Sequence, residues 1–370
     1  MTEKLYYEDG YLRECDAVVV SFCGGCAELD RTIFYPEGGG QPGDIGYIGE
    51  CKVSATTKDD DGRILHHIEQ GTLVPGQSYR IRIDWPHRYR FMQAHTAQHM
   101  ISATLFNQKG IGTVAVHQGD LFITVETDRS DIEDDVLLDV EKAVNKAICS
   151  NLRVWHETVS HKSAEELGMR RTIKVEGDVM LVHIDTVDVI ACGGVHIANT
   201  GEARIVLYEG KEAIRGHVRT IWRYADSAYD AIHANASLSR ALSVMLSAES
   251  DDIGNQCMKV IDERNELRRQ IRALEEKAAY SELCSNSDSL AFSSDLPLDS
   301  FIPYLEKIKD GTLIADGSRF IYIGDKDAFD RMRERLSSFS VKGGGRNRMF
   351  RGSYKGDMEA FSNAVRRFEG

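Results

Sequence analysis

The sequence predicts an α+β protein with several domains, built along a chain of 370 residues. Three observations lead to this fold class. Short β-like runs fill residues 1 to about 90, strands and helices alternate to about residue 225, and a helical pattern with apolar spacing begins near Ile253. A chain of this length exceeds one compact core. We expect domains over residues 1–90, 91–228, 229–285 and 286–370.

The first predicted domain is a small β-barrel. Its β-like runs include "DAVVVSF" and "YRIRIDW", and the turn-forming segments "EGGGQPGDIG", "KDDDGR" and "VPGQ" separate such runs. The segment "CGGC" from Cys23 to Cys26 has the CxxC spacing of redox and metal sites. However, a second CxxC is absent and no thioredoxin-like helix follows, so Gly24-Gly25 favours a hairpin turn.

The second predicted domain combines helices with strands. The run "RFMQAHTAQHMISATLF" from about Arg90 to Phe106 has helical spacing and places His95 and His99 one turn apart. Ser130-Asp131 precedes a second amphipathic helix with acidic residues in its first turn. The β-rich run "DVMLVHIDTVDVIACGG" places Cys192 at the end of a strand.

The third predicted domain is a helical arm, a short coiled coil or helical hairpin. Spacings of four and three relate the positions Ile253, Cys257, Val260, Arg264, Leu267, Ile271, Leu274 and Ala278. All but Arg264 are apolar or Cys, which is typical of a coiled-coil seam. After "CSNSDS", a final α/β domain of about 85 residues contains the glycine-rich "KGGGRNRMFRGSYKGD".

Composition excludes several classes of protein. With 42% hydrophobic and 28% charged residues, long disorder is not expected. No apolar run approaches the roughly 20 residues that span a bilayer, and the polar N-terminus lacks a secretory signal, so we expect a cytoplasmic protein with free thiols. The net charge of −13 argues against a nucleic-acid partner, but residues 331–355 carry a local net charge of +7. That segment is either a phosphate-binding surface or a solvated basic face.

Two five-residue segments contain the candidate metal-binding residues. "HTAQH" places His95 and His99 four residues apart, and "CGGVH" places Cys192 and His196 at the same separation. Together they offer three imidazoles and a thiolate, a tetrahedral set suited to Zn²⁺. Residue 96 is Thr and not Glu, so this is not the HExxH motif of a metallopeptidase.

These segments resemble a known family. "HTAQHM", "CGGVHIANTGE", "RTIFYPEGGGQPGDIG" and "DWPHRYRFMQAHTAQH" are similar to the editing module of alanyl-tRNA synthetases and to free-standing alanyl-tRNA editing proteins, AlaX, of the long form. The C-terminal glycine-rich segment resembles, more weakly, the family's DHHA1 domain. One departure is Val195, where the family usually has Thr.

The resemblance implies an aminoacyl-tRNA hydrolase that acts in trans on tRNA(Ala) mischarged with serine, and also with glycine. A synthetase pocket for alanine cannot strongly reject either amino acid, so a second hydrolytic site is required. We expect no aminoacylation domain, because the editing motifs begin near residue 31 and leave no room upstream for such a domain. The fold implied is a β-barrel, a zinc-containing α+β editing domain, a coiled-coil arm that supports a homodimer, and a DHHA1-like domain.

The resemblance also implies roles for individual residues. His95, His99, Cys192 and His196 would hold Zn²⁺. Gln41 would approach the site on a loop whose conformation its glycines allow; alternatively, this loop is an ordinary β-turn. Thr32 would sense the hydroxyl of serine; alternatively, it is a strand residue without that role. From their positive charge we expect contacts to tRNA phosphates from Arg215, Arg219, Lys342, Arg346, Arg348 and Arg351. For Arg215 and Arg219, a solvated helix or strand face is the alternative.

Two other functions stay open at this point. Threonyl editing modules, which act on Ser-tRNA(Thr), share the paired spacings, but typically have a Cys-Arg-Gly-Pro-His type segment and lack the GGGQ loop. A non-catalytic tRNA-binding protein with a structural zinc would have the same ligands.

Overall fold

The structure, a computed structural model, describes residues 2–173 and 177–367. The chain forms two compact units, Met1–Leu238 and Ser239–Gly370. Both contain helices and strands, which confirms the predicted mixed α+β class. No helix within the described ranges combines the length and the apolar content that crossing a bilayer requires.

The first unit begins with a closed six-stranded barrel, as predicted. Among the described residues, the first unit has eight strands before its first long helix, and six of them form the barrel. They are β1 (Glu3–Lys4), β2 (Glu14–Cys23), β3 (Cys26–Leu29), β4 (Arg31–Thr32), β5 (Gly46–Ile48), β6 (Cys51–Lys58), β7 (Ile64–Ile68) and β8 (Ser78–Ile83). The barrel order is β2-β3-β7-β6-β5-β8, with antiparallel neighbours throughout. Cys23 and Cys26 are opposite each other, and Gly24 and Gly25 have φ of +59° and +79°, so this segment is the predicted hairpin turn.

A long helix, α1 (Trp85–Lys109), follows the barrel and contains the segment "HTAQH". The side chain of Asp84 caps its N-terminus by accepting a hydrogen bond from the backbone N–H of His87, and Gly110 ends it at φ +63°. Every residue from Phe91 to Leu105 is buried. His95 and His99 therefore lie within a stretch of the helix that is buried on every face.

Two antiparallel sheets complete the first unit. The elements are β9 (Thr113–Gln118), β10 (Phe122–Thr127), α2 (Asp134–Cys149), β11 (Val154–Val159), α3 (His161–Glu166), β12 (Val179–Ile184), β13 (Asp188–Ala191), β14 (Val206–Ile214) and β15 (His217–Tyr224). One sheet has the order β14-β15-β10-β9 and the other β11-β12-β13. Strand β13 ends at Ala191, so Cys192 lies at a strand end, as predicted.

The division between the units falls within helix α4 (Ala225–Leu246). The second unit has a 33-residue helix, α5 (Ile253–Ser285), that contains the predicted apolar seam. Leu267, Ile271 and Leu274 on this helix are more than half exposed. Pairing of these helices into a coiled coil, and the homodimer expected through them, stay predictions.

A five-stranded sheet forms the rest of the second unit. The elements are β16 (Ala291–Ser293), a 3₁₀ helix (Leu298–Lys307), β17 (Thr312–Asp316), β18 (Arg319–Ile323), α6 (Lys326–Arg335), β19 (Lys342–Arg346), β20 (Met349–Ser353) and α7 (Met358–Arg366). The order is β16-β17-β18-β20-β19, so the glycine-rich β19 is an edge strand, and all of its residues are exposed. The four proposed domain ranges and the DHHA1-like assignment stay predictions.

Candidate metal centre and active-site cavity

The segments "HTAQH" and "CGGVH" lie close together in the structure. His95 and His99 lie on α1, and Cys192 and His196 lie in the segment after β13. One nitrogen or sulfur ligand atom from each of the four residues lies within 4.8 Å of the other three. The three histidines are at most 5% exposed. Residues that are 97 positions apart in the chain, such as His95 and Cys192, therefore form one group, in which the histidines are buried and Cys192 is half-buried.

The distances within this group fit a tetrahedral ion. The sulfur of Cys192 lies 3.5 Å from Nε2 of His95 and 3.5 Å from Nε2 of His196. Zinc bonds of about 2.3 Å to sulfur and 2.0–2.1 Å to nitrogen, at a tetrahedral angle, place the sulfur and nitrogen about 3.6 Å apart. The residues present thus fit a bound Zn²⁺ in both chemistry and spacing.

The other ring nitrogen of each histidine faces an oxygen. Nδ1 of His95 lies 2.8 Å from Oε1 of Gln41, and Nδ1 of His196 lies 3.0 Å from Oγ1 of Thr96. Nδ1 of His99 lies 3.5 Å from a carboxylate oxygen of Asp188. Partners of this kind fix the ring orientation and the tautomer, leaving Nε2 free to bind a metal.

Gly194 allows this close packing. A Cβ atom at Gly194 would lie 2.1 Å from Cε1 of His95 and 2.9 Å from Oε1 of Gln41, which no side chain tolerates. The next residue, Val195, donates its backbone N–H to the same Gln41 oxygen at 3.2 Å, and its side chain packs in the hydrophobic core. The departure from the family's usual Thr at this position therefore falls in the core.

The electrostatics of the group favour a thiolate at Cys192, neutral imidazoles at His95 and His196, and a protonated imidazole at His99. Burial lowers the pKa of His95, and it lowers the pKa of His196 well below its usual range. Burial opposes ionisation of Cys192, but His95 and His99 outweigh it and lower the pKa of this thiol well below its usual range. For His99, burial is outweighed by Cys192 and Asp188, which raise its pKa to about 9. A thiolate and neutral imidazoles are the forms that bind metal, so metal binding would release the proton of His99.

A cavity of about 800 Å³ opens onto this group. His95, His99 and Cys192 contribute to its lining, together with Tyr7, Tyr35 and the segment Arg170–Ile173. Sites for small ligands commonly have volumes of about 300–1,000 Å³. The cavity is therefore large enough for an aminoacylated nucleoside.

Gln98 is a cavity residue that the sequence analysis did not select. Its Nε2 donates a hydrogen bond to Oγ of Ser102 at 2.8 Å, and its Oε1 accepts none from the described residues. It lies three residues after His95, which places both on one face of α1. Asp188 was also missed, although the even spacing from Cys192 predicts that they share a face of the strand. Helical and strand periodicity are thus the patterns that select both residues.

Gln41 and Thr32, the two predicted non-metal site residues, have different surroundings. Gln41 is buried and contacts the ring of His95, one of the four residues of the metal group (His95, His99, Cys192 and His196). A residue in this position orients a metal-binding side chain. Thr32 is fully buried; its hydroxyl lies 2.8 Å from Nε2 of His66 and accepts a hydrogen bond from the N–H of Phe34. Thr32 is not among the residues that line the cavity. Its role as serine sensor stays a prediction.

The predicted phosphate contacts lie on the surfaces of both units. Arg215 is exposed in the turn between β14 and β15, and Arg219 pairs with Glu212 at 3.0 Å. Lys342 and Arg346 are exposed on the edge strand β19. Arg348 and Arg351 pair with Asp310 and Asp299 at 2.8 and 2.9 Å. Their contacts with tRNA stay predictions.

The barrel, the α+β layers and the buried His₃Cys group define a protein with the donor set of a metal-dependent hydrolase. No protein-family model matches the chain. The chain is 32% identical to alanyl-tRNA editing protein AlaX-L of Pyrococcus horikoshii, over 75% of this chain and 70% of the relative. It is 34% identical to AlaX-M of Methanosarcina acetivorans, over 56% of this chain and 93% of the relative.

The protein belongs to the AlaX family of alanyl-tRNA editing proteins, whose members are aminoacyl-tRNA hydrolases. The resemblance predicted from its motifs is confirmed. It is also 25% identical to the alanine–tRNA ligase of Methanococcus aeolicus, over 98% of this chain but only 42% of the ligase. The chain thus spans less than half of that relative.

Proposed function

We propose that the protein hydrolyses the ester of Ser-tRNA(Ala), and also of Gly-tRNA(Ala), with a zinc ion held by His95, His99, Cys192 and His196. The observation that carries this proposal is the convergence of the four ligands at a cavity large enough for an aminoacylated nucleoside. Membership of a family of alanyl-tRNA editing proteins supports tRNA(Ala) as the partner.

Bound zinc would supply Lewis-acid polarisation of the ester carbonyl or activation of a water molecule. The chain's own residues prepare the site. Gln41 and Thr96 hold the imidazoles of His95 and His196 through hydrogen bonds, and the carboxylate of Asp188 faces His99 at 3.5 Å, so little reorganisation is needed when ligands bind. Burial of the group on α1 excludes bulk water from all sides except the cavity.

Selection against alanine needs a polar partner for the serine side chain. Gln98 supports such a role, because its Oε1 accepts no hydrogen bond from the described residues and the residue lines the cavity. A serine hydroxyl satisfies this acceptor, whereas a methyl group leaves it unpaired at a cost of about 1–3 kcal/mol. Thr32 stays the sequence-based alternative, with a hydroxyl that is already bonded to His66.

Binding of the tRNA body is assigned to exposed basic residues. Lys342 and Arg346 on β19 have no carboxylate partner within ion-pair distance among the described residues, so their charges are available to phosphates. Arg348 and Arg351 would exchange their pairs with Asp310 and Asp299 for phosphate contacts. Arg215 and Arg219 are the corresponding candidates in the first unit.

The direct test is deacylation of Ser-, Gly- and Ala-tRNA(Ala) by zinc-loaded protein, with Ser-tRNA(Thr) as the comparison. We expect Ser-tRNA(Ala) to be hydrolysed roughly 10- to 100-fold faster than Ala-tRNA(Ala), the range that one unpaired polar contact provides. Preference for Ser-tRNA(Thr) would assign the protein to threonyl editing. Absence of hydrolysis with all four substrates would leave a tRNA-binding protein with a structural zinc.

A further inference from the structure

Among the described residues, three cationic side chains besides the histidines contribute to the cavity lining, and one of them is neutralised by a carboxylate from those residues. Arg170 forms two hydrogen bonds to Asp188, at 3.0 and 2.9 Å, and both side chains are at most 6% exposed. Lys58 and Arg171 also line the cavity, but neither has a carboxylate within ion-pair distance among the described residues. The cavity thus presents two positive charges without a counter-ion from those residues.

The surroundings hold Arg171 in place and disfavour the charges of both cations. Nη2 of Arg171 donates hydrogen bonds to the carbonyl oxygens of Thr113 and Val114 at 3.3 and 3.2 Å, which fixes the guanidinium against β9. Lys58 and Arg171 are exposed residues, and partial burial, together with Lys4 and Arg170 respectively, lowers the pKa of each side chain. An anion bound at this position would relieve that destabilisation.

The glycine loop adds a backbone donor on the same cavity. Gly38 and Gln41 exchange two hydrogen bonds of 3.0 Å, and Gly39 and Gly40 between them have φ of +62° and +87°. Gly39 lines the cavity, and its N–H donates to none of the described residues. The N–H of Gln118 in β9 donates to the carbonyl of Gly40 at 3.3 Å, which anchors the loop. Backbone donors in tight turns commonly bind anions.

We propose that Lys58 and Arg171, with the N–H of Gly39, form a phosphate subsite for the phosphodiester on the terminal nucleotide of the substrate. The inference rests on the proposed function, which places the ester of that nucleotide at the metal group. Its phosphodiester is then the nearest anion covalently attached to the reacting ester. The subsite recognises the nucleic acid part of the substrate and does not contribute to the choice of amino acid.

The test compares two small substrates, 3′-O-seryl-adenosine and 3′-O-seryl-adenosine 5′-monophosphate. We expect the intact protein to favour the phosphorylated ester by about 10- to 100-fold in kcat/KM, the effect of a charge-assisted hydrogen bond. Lys58→Met and Arg171→Gln should each reduce that ratio by about tenfold. A ratio near one in the intact protein, or an unchanged ratio in both variants, overturns the proposal.

Two control variants test for general effects of lost charge. Lys52→Met removes a lysine of the same strand as Lys58 that pairs with Glu69, and Arg129→Gln removes an exposed arginine bonded to the carbonyl of Gly110. Both should keep the substrate ratio of the intact protein. A reduction in the controls as large as in Lys58→Met or Arg171→Gln contradicts a localised subsite.

Binding of adenosine 5′-monophosphate, measured by calorimetry, separates this inference from the proposed function. If neither ester is hydrolysed, the proposed function fails, and calorimetry still decides the subsite. Weaker binding by about tenfold in Lys58→Met and Arg171→Gln supports it. Binding equal to that of the intact protein refutes it.

Discussion

At the scale of single residues, the metal group depends on a backbone approach that only glycine permits. Gly194 faces the ring of His95, whereas a Cβ at the adjacent Gly193 would meet, among the described residues, the hydroxyl of Tyr7 alone, at 3.2 Å. The two neighbouring glycines thus differ in what a methyl group would displace. Displacing His95 also disturbs its hydrogen bond to Gln41, so Gly194 contributes to the orientation of a metal ligand.

Gly194→Ala should weaken zinc binding by roughly 10- to 100-fold, the range seen when the support of a metal ligand is lost. Gly193→Ala is the matched control and should bind zinc nearly as the intact protein does, because the Tyr7 side chain can move. Competition with a chromophoric chelator measures both affinities. Equal affinities for the two variants would show that the approach of Gly194 to His95 is not needed.

The four candidate metal-binding residues are the part of the site that the sequence predicts best, because they come together in the structure. The two residues of each pair are four positions apart, and a thiol together with three imidazoles is a set of ligands that zinc prefers. Burial is harder to predict. Thr32 lies on β4, a two-residue strand that pairs with β1 outside the six barrel strands, and its partner His66 lies 34 residues away on the barrel strand β7. Gln98 could have been selected from its position beside His95, because helical periodicity is local.

At the scale of elements, one buried ion pair joins α1 to the barrel. The Nε of Arg88 donates to both carboxylate oxygens of Asp44 at 2.9 and 3.0 Å, and its Nη1 donates to the carbonyl of Gly10 at 2.9 Å. The Arg88 side chain has no exposed surface, and Asp44 is 3% exposed. The pair fixes the helix that carries His95 and His99 against the barrel segment that leads from the glycine loop to β5.

Arg88→Met should lower the free energy of unfolding by about 3–5 kcal/mol, because it leaves the buried carboxylate of Asp44 without its partner. Arg90→Met is the control. Arg90 and its partner Asp120 are 43% and 69% exposed, so that change should cost at most about 1 kcal/mol. Urea unfolding followed by circular dichroism measures both. Equal losses in the two variants would contradict the joining role of the Arg88–Asp44 pair.

Element types were predictable where local patterns are strong. The barrel runs, the helix around "HTAQH" and the Gly24-Gly25 turn follow from alternation, helical spacing and glycine conformation. The pairing of strands was not predictable in this way. The barrel places β7 between β3 and β6 and closes β8 against β2, which depends on contacts distant in sequence. The Arg88–Asp44 pair depends on the same closure.

At the scale of the whole molecule, chemistry and charge fall in different parts of the sequence. The metal group and its cavity belong to the unit Met1–Leu238, while the segment with a net charge of +7 belongs to the unit Ser239–Gly370. The overall charge of −13 hides that basic segment. A local count of charges is therefore more informative about a tRNA partner than the total.

Metal analysis of purified protein is the most direct test of the claim that His95, His99, Cys192 and His196, which are distant in sequence, form one zinc centre. We expect about one zinc per chain in the intact protein and almost none in the double variant His95→Ala with Cys192→Ala. A control double variant, Cys149→Ala with His161→Ala, removes the same residue types outside the group and should keep its zinc. About one zinc per chain in the first double variant would contradict the claim.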